Sequence, residues 1–203
     1  MKKRTVSKVL ALGLAASMVA TVVPVSAEEA GGRELKVGAA TAPQNISPFT
    51  HFTNRQPVTQ YLYETLVDKD TDGNFYGIIA KDWTTEDNIT YNFEIYDYVT
   101  DTAGNNITAE DCVFCLEHAR DEAANTWVES AEVTGDYTFT LTLVDDAVST
   151  FPTAMNRTPI VSKKAYEESA DGMATSPVST SPLVVTEFVP NVSISFEKNA
   201  NYW

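Results

Sequence analysis

Four residues in the stretch DKDTDG have the types and the spacing of a calcium-binding loop. Asp68, Asp70 and Asp72 alternate along the chain and Gly73 follows them, which is how carboxylates converge on a hard cation beside a sharp turn. The twelfth position of such a loop should be a glutamate and is Ile79 here. The flanks are typical of strands. We therefore interpret the segment as a solvated Asp-Gly turn between two strands, with calcium binding as the less favoured alternative.

Cysteine and histidine are too sparse to indicate a metal site or a catalytic centre. Cys112 and Cys115 are the two cysteines, and His51 and His118 are the two histidines. A metal-binding pair needs further ligands, and a nucleophile needs a base that a third group orients. We interpret the cysteines as small buried residues on one helix face, with an oxidised pair as the alternative. We predict no catalytic residue, no metal and no cofactor.

The elements around these residues alternate between helix and strand patterns. Thr108, with Asp111 three positions later, predicts a capped helix that contains both cysteines. Val58, Leu62 and Leu66, spaced i, i+4, i+8, predict a second helix. Period-two or short apolar patterns predict strands, and short helical pieces are expected twice more. The strands are ELKVGA from residue 34, FYGIIAKDW, ITYNFEIY, TGDYTFTLTLV, and a hairpin of LVVTEFV and VSISFEK across Pro190 and Asn191; the helical pieces are STFPTAM and SKKAYEES.

The N-terminus predicts secretion. Basic residues up to Arg4 precede an apolar stretch from Val9 to Val23, and small residues Val25 and Ala27 follow. This is the pattern of a signal peptide cleaved after Ala27, and a retained membrane anchor is the alternative. The net charge of −14 excludes a nucleic-acid-binding protein, because phosphate recognition needs a basic surface.

Several stretches, in order over residues 34–203, resemble the extracellular solute-binding proteins of ABC importers, in the peptide, dipeptide and nickel-binding family. The stretches are ELKVGAATAPQNISPF, QYLYETLVDKDTDGNFYGIIAKDW, TYNFEIYDYVTDTAGNNITAEDCVFCLEHA, GDYTFTLTL and FEKNANYW. The chain departs from the family where a Gly-Thr-Gly-Pro-Tyr turn is usual, because residues 179–183 read Ser-Thr-Ser-Pro-Leu. Either the local turn differs or the cleft has a different shape.

This resemblance implies an α/β (α+β mixed) fold of the periplasmic-binding-protein-like type II class. It implies a signal peptide at 1–27, the N-terminal part of the first lobe at 28–55, an inserted subdomain at 56–168 and a return to the first lobe at 169–203. The second lobe would be missing, so that Trp203 would be an interior residue of a longer protein. The implied function is capture of oligo- or dipeptides outside the cytoplasmic membrane, without catalysis, by a monomer that serves ABC permease subunits. The alternative is a stand-alone secreted binding or adhesion module, or a non-functional truncated receptor.

The resemblance also implies where first-lobe residues would contact a ligand. The loop after the first strand should line the cleft, with the segment at 180–181 behind it. The candidates are Ala42, Pro43, Gln44, Asn45, Thr180 and Ser181. Recognition of ligand charge would come largely from the missing lobe, so the sequence does not specify the ligand.

Overall fold

The protein is described by a computed structural model, which covers residues 43–49, 59–121, 126–145, 147 and 155–203. All of these residues belong to one unit, Ala39–Trp203. The predicted signal peptide, the predicted first strand and Ala42 lie outside the described residues. Most of STFPTAM does as well.

Eight strands and two helices are described, and the strands form three antiparallel sheets within this part of the chain. The largest sheet has four strands in the order β3-β4-β6-β5, and β1-β2 and β7-β8 are two-stranded. The strands are β1 (Val67–Lys69), β2 (Phe75–Gly77), β3 (Ala80–Thr85), β4 (Thr90–Ile95), β5 (Val128–Gly135), β6 (Thr138–Leu143), β7 (Leu183–Val189) and β8 (Ser193–Lys198). The helices are α1 (Ala109–Asp121) and α2 (Lys163–Glu168).

The four-stranded sheet buries one face, as its alternating pattern predicts. Along β6, Phe139 and Leu141 are buried while the threonines between them are partly exposed, because successive side chains point to opposite faces. Phe93 of β4 lies opposite Phe139, and their rings stack with centroids 5.0 Å apart. Helix α1 packs against this sheet, chiefly against β5. About half of the described buried apolar residues lie in this layer.

Helix α1 begins at the predicted cap. The backbone N–H and the hydroxyl of Thr108 both donate to Asp111 Oδ2, at 2.7 and 2.9 Å. Asp111 Oδ1 accepts from the backbone N–H of Lys163 at 2.8 Å, which ties the start of α1 to the start of α2. Cys112 and Cys115 are free thiols with no exposed surface, and burial raises the pKa of both. The interpretation as small buried residues is confirmed.

The predicted helix that includes Leu62 and Leu66 is wrong over its described part. A short 3-10 turn occupies Thr59–Tyr61, and the chain then runs irregularly into β1. The carbonyl groups of this irregular segment accept hydrogen bonds from residues outside it. The N–H of Ile160 donates to Glu64 O at 2.9 Å, and the N–H groups of Ile78 and Ala80 donate to Leu66 O. Groups used in this way are not available to a helical ladder. Both leucines are nevertheless buried.

The stretch DKDTDG forms the predicted turn between β1 and β2. Gly73 has a φ of +94°, a conformation that favours glycine. Asp70 accepts hydrogen bonds from the backbone N–H groups of Asp72 and Asn74 and from Asn74 Nδ2, and these bonds, chiefly that from the Asn74 side chain, lower the pKa of Asp70. Its carboxylate therefore serves the turn. Among the described residues, no group of three or more His, Cys, Asp or Glu side chains could hold a metal ion.

The hairpin of β7 and β8 also forms as predicted. Asn191 takes a positive φ of 62° in its turn, which asparagine tolerates better than most residues. Within the described part of the chain, neither helix has the length and the hydropathy needed to span a membrane.

Candidate functional site

Loop 43–49 carries three of the predicted ligand residues. Pro43 is buried, Asn45 is half-buried and Gln44 is exposed. The carbonyl of Pro43 accepts from the backbone N–H of Asn191, at 2.8 Å, in the β7-β8 turn. Asn45 Oδ1 accepts from the backbone N–H of Ser47 at 3.3 Å. Of these three side chains, Gln44 is therefore the one most open to solvent.

The far end of this loop is held by aromatic rings. Phe49 lies 4.5 Å from the ring of His118 and 5.0 Å from that of Tyr166, between centroids. Phe114 packs on the same group at 6.1 Å from Phe49, and Tyr166 Oη is 3.4 Å from His118 Nε2. This ring cluster joins the loop to α1 and α2.

The segment at 179–183 is held through side-chain hydroxyls. Thr180 has no exposed surface; its hydroxyl donates to Ile160 O at 2.9 Å and accepts from the backbone N–H of Glu64 at 2.9 Å. Its carbonyl accepts from Trp203 Nε1 at 3.3 Å. Thr180 therefore joins three segments that are far apart in sequence.

Ser181 and Ser179 extend this arrangement. Ser181 Oγ donates to Tyr61 O at 2.7 Å and accepts from the backbone N–H of Leu183 at 3.1 Å. The backbone N–H of Ser179 donates to Thr102 Oγ1 at 3.0 Å, and Ser179 Oγ donates to Leu183 O. We call the side chains of Thr102, Ser179, Thr180 and Ser181, with their backbone partners, the hydroxyl junction.

The hydroxyl junction holds segment 179–183, which lacks the two glycines that the resemblance leads one to expect there. None of the positive φ angles in the described residues falls within 179–183, so no residue there needs the conformational freedom of glycine. The serine and threonine hydroxyls instead satisfy backbone groups that are buried, which would be costly to leave unpaired. The local turn therefore relies on hydroxyls in this chain.

Two residues that were not predicted as site residues connect the two predicted segments. Tyr63 Oη donates to Ile46 O at 2.8 Å, and the next residue, Glu64, donates its backbone N–H to Thr180. The YET stretch at 63–65 contains both residues, but the spacing of Val58, Leu62 and Leu66 predicts a helix there and not a connection between loops. Loop 43–49 and the hydroxyl junction thus meet at residues 63 and 64. Whether Ala42, Pro43, Gln44, Asn45, Thr180 and Ser181 contact a ligand stays a prediction.

Glu64 lies in a partly desolvated position on this connection. Its Oε1 accepts from Tyr202 Oη at 2.9 Å. Burial raises the pKa of Glu64, and the hydrogen bond from Tyr202 partly opposes that shift. Burial and the nearby Glu64 charge in turn raise the pKa of Tyr202. The last two residues of the described chain are therefore both held here by their side chains. Tyr202 bonds Glu64, and Trp203 bonds the carbonyl of Thr180.

A protein-family model matches most of the described chain. The family model described as bacterial extracellular solute-binding proteins, family 5 Middle, matches residues 74–203. No curated protein matches the chain significantly.

Solved structures resemble this chain over most of its length. The oligopeptide-binding protein AppA from Bacillus subtilis, solved with a nonapeptide, has a TM-score of 0.71 at 19% identity, over 81% of this chain and 36% of that chain. DppA from Helicobacter pylori, solved with the peptide STSA, has 0.67 at 22%, over 80% and 38%. MoaA from A. tumefaciens R10, solved with mannopinic acid, has 0.65 at 25%, over 80% and 36%. The chain thus spans about a third of the length of the solved relatives it matches.

Proposed function

Since the chain belongs to the bacterial extracellular solute-binding proteins of family 5, we propose that it captures oligo- or dipeptides for an ABC importer. The predicted family and the predicted type II fold class are both confirmed. The family match over residues 74–203 is the observation that carries this proposal. Peptide is the proposed ligand because AppA and DppA were solved with peptides.

We assign the parts of the chain as the family resemblance implies: a signal peptide at 1–27, the first lobe at 28–55 and 169–203, and an inserted subdomain at 56–168. The sheet β3-β4-β6-β5 and helix α1 lie within the proposed subdomain, and the β7-β8 hairpin lies within the proposed return. The second cleft wall would come from a further lobe, and hinge closure of two lobes is a recurring mode of ligand capture.

In this proposal the loop at 42–45 supplies first-lobe ligand contacts, and the hydroxyl junction positions them. Gln44 is exposed, so its amide can reach a ligand directly. Thr180 and Ser181 have almost no exposed surface, so their support for a ligand would come through the backbone they hold. The protein would act outside the cytoplasmic membrane as a monomer and would deliver its ligand to permease subunits.

Calorimetry on the product of the complete open reading frame tests this function. Mixed di- to pentapeptides should bind at micromolar or better affinity, which is ordinary for a preformed site. Gln44→Ala should weaken binding by about three- to tenfold if it removes one net hydrogen bond. Gln60→Ala is the control, because Gln60 is also an exposed glutamine. Absence of binding to every peptide would overturn the peptide assignment.

A further inference from the structure

The middle of loop 43–49 is fixed at a single residue, Ile46. Its backbone N–H donates to Ala174 O at 2.9 Å, and its carbonyl accepts from Tyr63 Oη at 2.8 Å. Ile46 has no exposed surface, so both backbone groups must find partners within the protein. The tyrosine hydroxyl therefore satisfies the buried carbonyl of Ile46. Ile46 directly follows Gln44, which is exposed, and Asn45, which is half-buried.

Tyr63 is itself held firmly. It is 3% exposed, and the next residue, Glu64, is bonded through its N–H to Thr180 and through its carbonyl to Ile160. Burial, and then the charge of Asp171 and the neighbouring Tyr166, raise the pKa of Tyr63. The phenol therefore stays protonated and acts as a donor at any physiological pH, as a carbonyl acceptor requires.

The loop is thus ordered at Ile46 and again at Phe49, which lies in the ring cluster with His118 and Tyr166. Fixing a loop costs conformational entropy. When that entropy is lost during folding, it does not have to be lost during binding, and affinity increases accordingly. Gln44 and Asn45 lie between Ile46 and Pro43, whose carbonyl is bonded to the N–H of Asn191, so Ile46 fixes the C-terminal side of this pair.

We propose that Tyr63 is a positioning residue for ligand capture: its hydroxyl holds loop 43–49 in the conformation that binds ligand. The proposal rests on the proposed function, since it assumes that this loop contacts the ligand. Tyr63 touches no ligand in this scheme, and it acts through the carbonyl of Ile46.

The test compares Tyr63→Phe with the wild type, each made from the complete open reading frame, by calorimetry and by amide hydrogen exchange. A di- to pentapeptide that binds the wild type is the probe. Tyr63→Phe should weaken its binding by about three- to tenfold, the range of one net hydrogen bond, and the loss should be entropic. In the free variant the N–H of Ile46 should lose protection, and bound peptide should restore it. A purely structural role would give lower protection that peptide does not restore.

Tyr76→Phe is the matched control, because it removes the hydroxyl of an exposed tyrosine in β2. Phe49→Leu is the second variant, because it loosens the other end of the loop and should show the same exchange behaviour. If the wild type binds peptide and neither Tyr63→Phe nor Phe49→Leu changes affinity or exchange, the positioning role is overturned. If the wild type binds no peptide, the proposed function fails instead, and the exchange data on the free protein still report whether Tyr63 orders the loop.

Discussion

The sheet core and the hydroxyl junction are stabilised in different ways. In the sheet core, formed by β3 to β6 and α1, rings and aliphatic side chains pack without directional partners, as Phe93 and Phe139 do. In the hydroxyl junction, buried serine and threonine hydroxyls each bond specified backbone groups. Burial of apolar surface tolerates changes that keep volume and polarity. A buried hydroxyl bond tolerates no change that removes one partner.

This difference suggests a division of tasks in the protein. The sheet core holds about half of the described buried apolar residues, and it lies in the part proposed to be an inserted subdomain. The hydroxyl junction contributes less apolar surface but fixes the relative positions of residues 61–64, 160, 179–183 and 203. These segments adjoin the predicted ligand loop, where accurate positioning matters more than bulk stability.

The largest expected effect is in the sheet core. Phe139→Ala should lower the free energy of unfolding by about 3–5 kcal/mol, because it removes a fully buried ring and leaves a cavity. Phe139→Leu should cost clearly less, because it keeps most of the volume. Urea unfolding followed by circular dichroism measures both. Equal losses for the two variants would mean that the stacked ring has a directional role, and the comparison with the hydroxyl junction would fail.

A smaller but more specific effect is expected at Thr180. Thr180→Val keeps the shape and removes the hydroxyl, which leaves the carbonyl of Ile160 and the N–H of Glu64 without this partner. The free energy of unfolding should fall by about 1–3 kcal/mol. Thr180→Ser keeps the hydroxyl and loses one methyl group, so it should cost about 1 kcal/mol or less. If valine is tolerated better than serine in urea unfolding, the hydroxyl bonds are not what holds this segment.

The sequence predicts β4, β6 and α1 of the sheet core because their signals are local, but it does not predict β5, whose residues Val128–Gly135 show no regular alternation of buried and exposed positions. The alternation of Thr138 to Leu143 and the cap at Thr108 and Asp111 both lie within a few residues. The same spacing argument fails for Leu62 and Leu66, because a separation of four residues also fits an irregular chain that buries both. Hydrogen bonds from the N–H groups of Ile160, Ile78 and Ala80 favour the irregular conformation over a helix. No local sequence pattern predicts these bonds.

The hydroxyl junction could be predicted only as a loop. Nothing in Ser-Thr-Ser-Pro-Leu indicates that the hydroxyls point inward, because their partners lie far away in sequence: Thr180 bonds Glu64, and Ser181 bonds Tyr61. Serines and threonines in loops are usually exposed. The ligand loop was predicted from the family resemblance, and the role of Tyr63 in holding it required the structure.

Charged side chains provide a third kind of contact, and Asp171 tests it through pH. Asp171 accepts from the hydroxyl of Thr175 at 2.6 Å and from the backbone N–H groups of Ala174 and Thr175. These bonds, first that from the Thr175 side chain, lower its pKa below the ordinary 3.8. A lowered pKa in the folded protein means stability that is present above pH 3.8 and is lost as the pH falls through the folded pKa.

Asp171→Asn should therefore lower the free energy of unfolding at pH 7 by at most about 1 kcal/mol, since the carboxylate is exposed to solvent. The difference from the wild type should disappear at a pH below the folded pKa. Thr180→Val should show no such dependence, because a hydroxyl does not titrate in this range. Urea unfolding at a series of pH values measures both. A pH-independent loss for Asp171→Asn would mean that geometry and not charge makes this contact.

The smallest effect is expected on the solvent-exposed face of the four-stranded sheet. There Lys81 of β3 pairs with Glu94 of β4. The ion pair raises the pKa of Lys81, chiefly through the hydrogen bond to Glu94, but both side chains are about half exposed, so water and salt screen it. Lys81→Gln should shift the urea midpoint less than Asp171→Asn does, and the shift should vanish at high salt. A loss as large as that of Thr180→Val, or one that persists at high salt, would mean that an exposed ion pair contributes as much as a buried hydroxyl. In that case exposure would not separate the two kinds of contact.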